Sequence, residues 1–250
     1  MLTEKRHQVI LDYLNKHDAV TVTQLTGLLN SSESTIRRDL NVLNEEGKLR
    51  KVFGGATSIQ QKIPSAGDEK VSSRELVMRE EKERIGKYAA TLINDHDFIY
   101  IDSGTTTACL VNHITNRNAT YVTNGVSHAL KLLRKGLNAY LVGGKIKPIT
   151  EAIVGAEGIR SLEGYNFTKA FMGTNGIDVQ AGFTTPDVEE GRMKERAVGQ
   201  SYTAYVLADH TKFRRVYPVS FSPLDTCCII TDHIPEGDFS EITVIKEVSE

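Results

Sequence analysis

The stretch Ser32-Glu33-Ser34-Thr35-Ile36-Arg37-Arg38-Asp39-Leu40 has the pattern of an amphipathic helix that begins at a polar cap. Serine is among the residues preferred at a helix N-cap, and Ser32 stands directly before the periodic residues. On a helical wheel of about 100° per residue, Ile36, Leu40 and Leu43 lie within a quarter turn of one another. The sequence therefore predicts a helix with one buried face that ends at Gly47, a natural helix stop.

Two shorter periodic runs precede this helix, and a strand-like run follows it. Apolar residues recur at helical spacing in residues 9–14 and again in residues 25–29, and polar turn residues separate the second run from the third. Residues 48–53 alternate like a strand and meet the turn Gly54-Gly55. Three helices followed by a hairpin predict a compact winged module.

The polar face of the third predicted helix has the residue types that read DNA. Ser34, Arg38 and Asn41 lie opposite the apolar stripe. Arginine can bind guanine and asparagine can bind adenine in the major groove, while basic side chains neutralise phosphates. An ordinary amphipathic helix with a charged solvent face fits the same pattern equally well.

The segment Ser32–Leu40, with Gly47-Lys48-Leu49 and Gly54-Gly55-Ala56, resembles the N-terminal signature of the DeoR family of bacterial transcriptional regulators. The resemblance implies a winged helix-turn-helix over about Val20 to Asp39 that binds double-stranded operator DNA. The residues expected to contact DNA are Ser34, Thr35, Arg37, Arg38, Asn41, Lys48, Arg50 and Lys51. Phe53 departs from the family pattern, which usually has histidine at this position.

Composition limits the class of protein. The chain has 250 residues, of which 40% are hydrophobic and 25% charged, and a formal net charge of -2. These values exclude a mainly disordered chain and argue against wholesale coating of nucleic acid. No apolar run approaches the ~18 residues of a membrane span, and an odd count of three cysteines favours a reducing compartment. We therefore expect a cytoplasmic protein that does not engage a membrane.

A change in composition divides the chain. Residues 57–73 lose periodicity and gain proline, glycine and serine, so we expect a DNA-binding domain over residues 1–56, a linker over 57–73 and a second domain over 74–250. The second domain begins with a charged amphipathic helix over residues 74–93. Strand and helix patterns then alternate, which predicts an α/β domain with a largely parallel sheet. The predicted strands are Phe98–Ile101, Thr120–Thr123, Ala139–Val142, Ala170–Gly173, Ala204–Ala208, Cys227–Ile230 and Ile242–Ile245.

The hexapeptide Asp102-Ser103-Gly104-Thr105-Thr106-Thr107 directly follows the first of these strands. Backbone N–H groups at a strand-to-helix turn can bind an anion such as phosphate. A plain turn with a threonine cap explains the hexapeptide slightly better when it is taken alone. Further polar residues follow other strands, where ligands of open α/β sheets bind. The polar residues are Thr123, Asn124, Asn175 and Asp178, and Gly144 follows a strand in the same way. Lys194 and Lys212 are candidate partners of phosphate.

Residues from about Phe98 to Thr231 resemble the DeoR-type sensor domain, itself similar to the ribose 5-phosphate isomerase fold. In that comparison Asp102 to Thr107 falls on the phosphate loop, Asn175 to Asp178 on an acidic sugar-contacting loop, and Asp209 and Lys212 on an Asp-x-x-Lys segment. Together with Ser32–Leu40, residues 183–190 most resemble repressors of fructose-utilisation operons. The resemblance implies fructose 1-phosphate as the effector.

An isomerase with an appended DNA-binding module is the alternative function. The isomerase has an acidic residue before the lysine that aligns with Lys194, but this chain has Met193, and a thioether cannot take up a proton. Glu189, Glu190 and Glu195 are the other candidate bases. The sequence favours binding without turnover by a homo-oligomer, a dimer or tetramer, with no cofactor and no metal site.

Overall fold

The computed structural model describes residues 2–17, 19–58, 71–235 and 239–248. The chain divides into two compact units, Met1–Lys62 and Ile63–Glu250. Most of the predicted linker, residues 59–70, lies outside the described residues, while Thr57 and Ser58 belong to a strand of the first unit. Among the described residues, no helix is both long enough and apolar enough to span a membrane.

The first unit is a three-helix module with a small antiparallel sheet. Its elements are α1 (Thr3–His17), β1 (Ala19–Thr21), α2 (Val22–Leu29), α3 (Glu33–Glu45), β2 (Leu49–Val52) and β3 (Gly55–Ser58). Strand β3 lies between β1 and β2 and pairs antiparallel with both. Gly54, in the left-handed region at φ 81°, forms the turn between β2 and β3.

Apolar residues from all three helices form the core of this unit. Ile36, Leu40 and Leu43, the stripe read from the sequence, are fully buried against Ile10 and Leu25. Ser32 is the N-cap of α3, since its side chain accepts a hydrogen bond from the backbone N–H of Thr35. The helix-turn-helix is therefore held by local capping and by a shared apolar core.

The second unit contains a seven-stranded parallel sheet. Its strands are β4 (Phe98–Ile101), β5 (Thr120–Thr123), β6 (Asn138–Leu141), β9 (Phe167–Gly173), β12 (Ser201–Leu207), β14 (Cys227–Thr231) and β15 (Ile245–Glu247). Their order across the sheet is β15-β14-β12-β9-β4-β5-β6. Short antiparallel pairings link β7 (Lys145–Lys147) with β8 (Ala152–Val154), and β11 (Gly182–Thr185) with both β10 (Gly176–Asp178) and β13 (Val219–Ser222).

Helices cover both faces of the parallel sheet. They are α4 (Val71–Leu76), α5 (Arg79–Thr91), α6 (Thr105–His113), α7 (Val126–Arg134), α8 (Ala156–Glu163), α9 (Val188–Gly199) and α10 (Phe239–Ile242). Successive residues of β4 belong to two different hydrophobic clusters, one on each face of the sheet. Ile99 and Ile101 pack with α5 and α6, whereas Tyr100 packs with α8 and α9. Burial on both sides explains why the strands read as continuous apolar runs.

Gly86 allows α5 and α6 to approach closely. A Cβ at this position would lie 2.5 Å from the backbone nitrogen of Leu110. A side chain at residue 86 would therefore force α5 away from the second half of α6.

Two elements differ from the sequence prediction. The predicted helix over residues 74–93 is two helices, because Met78 takes the left-handed conformation at φ 54° and interrupts it. The predicted strand Ile242–Ile245 begins only at Ile245, since the backbone N–H of Thr243 donates to the carbonyl of Phe239 and closes a helical turn first.

Candidate functional sites

A buried ion pair fixes the orientation of α3, the recognition helix. Arg6 Nε and Arg6 Nη2 lie 2.5 and 2.9 Å from the two carboxylate oxygens of Asp39, and His7 Nε2 lies 3.1 Å from Asp39 Oδ1. Burial raises the pKa of Asp39, but the hydrogen bonds from Arg6 and His7 outweigh it, and the net pKa is lowered. The carboxylate therefore stays charged and joins α1 to α3.

The predicted DNA-contacting residues lie mostly on one accessible surface. Seven of them are exposed and only Thr35 is half-buried, with its hydroxyl 2.9 Å from that of Ser32. The exposed seven are Ser34, Arg37, Arg38, Asn41, Lys48, Arg50 and Lys51. Arg37 forms an ion pair with Glu33 across one helical turn, so the charge of Arg37 is partly neutralised within the module.

The recognition helix and the wing, which is the β2–β3 hairpin, are joined by side-chain hydrogen bonds. Lys51 Nζ donates to Asn41 Oδ1 over 2.6 Å, and the backbone N–H of Lys51 donates to Asn44 Oδ1 over 2.8 Å. Phe53 is fully exposed at the tip of the wing. The helix and the wing thus present their basic groups as one surface.

A cleft of about 320 Å³ lies at the carboxyl ends of the central strands of the second unit. Seven of the residues predicted as effector contacts line it: Asp102, Gly104, Thr105, Thr106, Asn175, Lys194 and Lys212. Neighbouring parallel strands end at the same edge, so residues separated by as many as 110 positions meet there.

Asp102, directly after β4, is the polar centre of the cleft floor. Its carboxylate accepts hydrogen bonds from Lys194 Nζ and from the backbone N–H of Gly173, the latter over 3.0 Å. Lys194 Nζ also donates to the carbonyl of Gly173 over 3.0 Å. These bonds tie β4, β9 and α9 together beneath the cleft.

The N-terminus of α6 faces the cleft through Thr105 and Thr106. The N–H groups of a first helical turn have no acceptor within their helix and carry the positive end of the helix dipole. The N–H of the cap residue, Gly104, is already bonded to Thr107 Oγ1. The following two residues are therefore placed to bind an anion.

The charge of the cleft is positive. Five basic side chains line it, Arg74, Lys82, Lys194, Lys212 and Arg215, against two acidic ones, Asp102 and Glu190. Burial, followed by the charge of Lys212, lowers the pKa of Lys82. An anionic ligand would relieve this repulsion between the two cations.

Polar groups that suit sugar hydroxyls line the rest of the cleft. They are Thr174, Asn175, Glu190, Thr211 and Tyr217. The Glu190 carboxylate accepts a hydrogen bond from Thr150 over 2.6 Å and lies 3.3 Å from Lys147 Nζ. Asn175 Oδ1 accepts a bond from Thr185. Both polar groups are thereby held in place.

The other seven predicted effector residues do not line the cleft: Ser103, Thr107, Thr123, Asn124, Gly144, Asp178 and Asp209. Several of them shape the loops around it instead. Asn124 Oδ1 accepts the N–H of Ser103, Thr107 Oγ1 donates to the carbonyl of Asp102, and Asp178 caps the turn before β11.

Asp209 is fully buried and organises the segment that carries Lys212. Its Oδ1 accepts bonds from the backbone and hydroxyl of Thr211, and its Oδ2 lies 3.5 Å from Lys212 Nζ. Gly144 lies beside the β8 backbone, where a Cβ would come 2.8 Å from the carbonyl of Val154. These two residues support the fold around the cleft.

Sequence analysis missed nine residues that line the cleft: Arg74, Val77, Lys82, Gly173, Thr174, Glu190, Thr211, Arg215 and Tyr217. The sequence presents Glu190 only as a possible base, while Gly173, the last residue of β9, and Thr174 directly precede the predicted residue Asn175. Lys82 could have been found from the helical pattern of α5. It lies on the apolar face of this helix, one turn before Ile85 and two turns before Ala89. A charge on such a face suggests a buried partner or a ligand.

The comparisons with known proteins agree with this arrangement. Residues 6–62 match the family model of the DeoR-like helix-turn-helix domain, and residues 77–233 match that of the DeoR C terminal sensor domain. The chain is 41% identical over 252 residues to a protein of Bacillus subtilis (strain 168) named "Uncharacterized HTH-type transcriptional regulator FruR", covering 99% of each chain.

Two further proteins are similar to this chain. It is 32% identical over 257 residues to the lactose phosphotransferase system repressor of Staphylococcus aureus (strain NCTC 8325 / PS 47), covering 99% of each chain. The solved structure of ribose 5-phosphate isomerase A from Methanocaldococcus jannaschii is similar with a TM-score of 0.42 and 14% identity, covering 54% of this chain and 55% of the isomerase.

The helix-turn-helix model matches the first unit and the sensor-domain model matches the second. The similarity to a transcriptional regulator extends over almost the whole chain. Helix α3 holds the position of the second helix of a helix-turn-helix, the helix that enters the major groove in such modules. The chain belongs to the DeoR family of transcriptional regulators, with a DeoR-like helix-turn-helix domain followed by a DeoR C-terminal sensor domain.

Proposed function

We propose that this regulator is a cytoplasmic repressor of a sugar-utilisation operon, most specifically a fructose operon, and that a sugar phosphate releases it from its operator. The observation that carries the proposal is the cleft, in which five basic side chains and the N-terminus of α6 surround a space of about 320 Å³. Fructose 1-phosphate is the proposed effector. Its phosphate group matches the basic lining, and its hydroxyl groups match the polar residues.

The two ends of the ligand have different partners in this proposal. Thr105, Thr106 and Lys212 bind the phosphate, through backbone N–H groups, hydroxyls and the ammonium group. Asn175 and Glu190 bind sugar hydroxyls. The Asp102–Lys194 pair holds the floor of the site in shape.

The DNA-binding part of the proposal rests on the surface of α3 and the wing. Arg38 and Asn41 read base edges, while Lys48, Arg50 and Lys51 contact phosphates. One such module contacts few base pairs, so we propose that a homo-oligomer, a dimer or tetramer, places paired modules on repeated half-sites.

We also propose that the protein binds its sugar phosphate without converting it. Met193, which takes the place of an acidic residue of the isomerase, is fully buried in the core. Glu190 is the acidic side chain of α9 that reaches the cleft, and its carboxylate is engaged by Thr150 and Lys147. In this proposal Glu190, held by these contacts, accepts a hydrogen bond from a sugar hydroxyl and does not act as the base of a proton transfer between adjacent carbons.

The test measures the affinity of the full-length protein for operator DNA by fluorescence anisotropy. The affinity is determined without ligand, with fructose 1-phosphate and with each of a panel of other sugar phosphates. We expect one sugar phosphate to release the operator, and Lys212→Met to need a much higher concentration of it. Lys87→Ala, which removes an exposed lysine of the same unit, is the control and should respond normally. Failure of every sugar phosphate to release the operator would contradict the proposed effector class, and sustained interconversion of aldose and ketose phosphates would contradict the non-enzymatic function.

A further inference from the structure

Arg74 lies on α4 and has one buried donor, the Nε of its guanidinium. The Nε of its guanidinium is inaccessible to solvent and has no hydrogen-bond partner within the described residues. The side chain lines the cleft together with Lys82 and Lys212. A buried donor without an acceptor costs free energy, so a ligand that supplies the acceptor would bind here with a gain in free energy.

Among the described side chains, helix α4 has an exposed C-terminal end. It has six residues, Val71–Leu76, and its last residue, Leu76, is largely exposed, as is Val77 after it. The carbonyl of Arg74 accepts a hydrogen bond from Lys82 Nζ over 2.5 Å. Lys82 itself lines the cleft, so the group that holds the backbone of α4 is also a group that faces the ligand.

Met78 separates α4 from α5 with a left-handed backbone at φ 54°. A residue with a side chain is disfavoured in this region, so the junction is held by its surroundings rather than by local preference. Helix α5, by contrast, packs firmly on α6 through buried Ile85 and Ala89. The junction at Met78 therefore joins α4, with its exposed C-terminal end, to a helix that packs into the core.

We propose that α4 is the element that couples the cleft to DNA binding, and that Arg74 is its ligand contact: an anionic ligand accepts a hydrogen bond from Arg74 and fixes α4 in one position on the sensor domain. The proposal rests on the proposed function, because it assigns the regulation of the same cleft. It goes beyond that function by naming a residue and a helix that carry the signal.

The position of α4 in the chain supports this assignment. Residues 59–70 precede α4 directly and follow the wing strand β3. Any effect of the ligand that passes along the chain to the DNA-binding module must therefore pass through α4. A ligand changes operator affinity only if it favours one of two arrangements, and the coupling must be equal in both directions.

The experiment measures this coupling in the full-length protein. Operator affinity is determined without ligand and with saturating fructose 1-phosphate, or with the member of the sugar-phosphate panel that releases the wild type. Ligand affinity is then determined with and without operator. We expect Arg74→Met to weaken ligand binding about tenfold and, at saturating ligand, to reduce the change in operator affinity to less than a third of the wild-type factor.

Two further variants and an exchange measurement keep the outcome interpretable. Arg79→Met removes an exposed arginine just after the junction and should behave as the wild type. Arg74→Lys should restore part of the ligand affinity through its charge. Hydrogen exchange of the amides of residues 74–78 should slow at least tenfold in the wild type on addition of the ligand.

Each possible result decides the proposal. Full operator release by Arg74→Met at saturating ligand would overturn it, even if the ligand binds more weakly, because Arg74 would then bind without coupling. Unchanged amide exchange in α4 of a wild type that does bind and respond would also overturn it. A wild type that responds to no sugar phosphate contradicts the proposed function itself, and the inference fails with it.

Discussion

Lys51 Nζ, on the wing, donates a hydrogen bond to Asn41 Oδ1, on the recognition helix, over 2.6 Å. The bond occupies the oxygen that a bidentate contact between asparagine and adenine requires as an acceptor. The amide nitrogen of Asn41 stays available as a donor. The oxygen has a second lone pair, so docking on DNA either keeps the Lys51 bond while Oδ1 also accepts from a base, or transfers Lys51 to a phosphate.

Lys51→Met should lower the affinity for all duplexes by a similar factor if the lysine transfers to a phosphate on docking. The slope of log K against log salt concentration should become shallower by about one. The measurement is fluorescence anisotropy on an operator duplex and a scrambled duplex between about 50 and 200 mM salt. A loss confined to the operator would show instead that Lys51 prepares Asn41 for base reading.

Arg38→Ala should weaken specific binding by about 1–3 kcal/mol if the arginine reads a base. Arg38 is exposed on α3. The scrambled duplex is the control, since losing one positive charge should weaken binding to it only slightly. The base contact is excluded if the operator footprint and the ratio of operator to scrambled affinity stay as in the wild type.

Asp39→Ala should destabilise the DNA-binding module by about 3 kcal/mol, because it leaves the Arg6 guanidinium without its carboxylate at a largely buried position. Urea unfolding followed by circular dichroism measures the change. Asp12→Ala is the matched control, since Asp12 is an exposed carboxylate of α1 that should change the free energy of unfolding by less than about 0.5 kcal/mol. Equal effects of the two variants would refute a structural role of the Arg6–Asp39 pair.

The burial of His128 should make the stability of the sensor domain depend on pH. Burial lowers its pKa to about 4, and its Nε2 lies 3.1 Å from Thr107 Oγ1. Between pH 6.5 and 4 the unfolded chain binds a proton at this residue that the folded chain does not, so stability falls as the pH is lowered. The expected loss from this group at pH 5 is about 2 kcal/mol.

Urea unfolding of the full-length protein at pH 7 and pH 5 checks this expectation. His128→Gln should lose less stability between the two pH values than the wild type does. His96→Asn, at an exposed position in the left-handed region that asparagine accepts, should keep the full dependence. The same dependence in His128→Gln and the wild type would assign the acid sensitivity to other groups.

Elements with a strong local pattern could be predicted from the sequence. The apolar stripe of Ile36, Leu40 and Leu43 predicts the buried face of α3, and Ser32 predicts where the helix begins. Both can be predicted because helix periodicity and capping depend on residues only a few positions apart. The strand at Phe98–Ile101 has the predicted bounds for a similar reason. The short strands β7, β10 and β13 and the break at Met78 lack such a pattern, since tertiary packing imposes them.

The sequence by itself determined the family, the two-part organisation and the exposed basic surface of α3 and the wing, because each of these follows from short, contiguous segments. Only the tertiary structure decided which polar residues share the cleft. It brings Lys82 of α5 and Arg215 to the carboxyl ends of strands β4 and β9, and it leaves Asp178 at a turn away from the cleft lining. The physical reason is that the order of strands in a parallel sheet depends on long-range packing, which no local periodicity encodes.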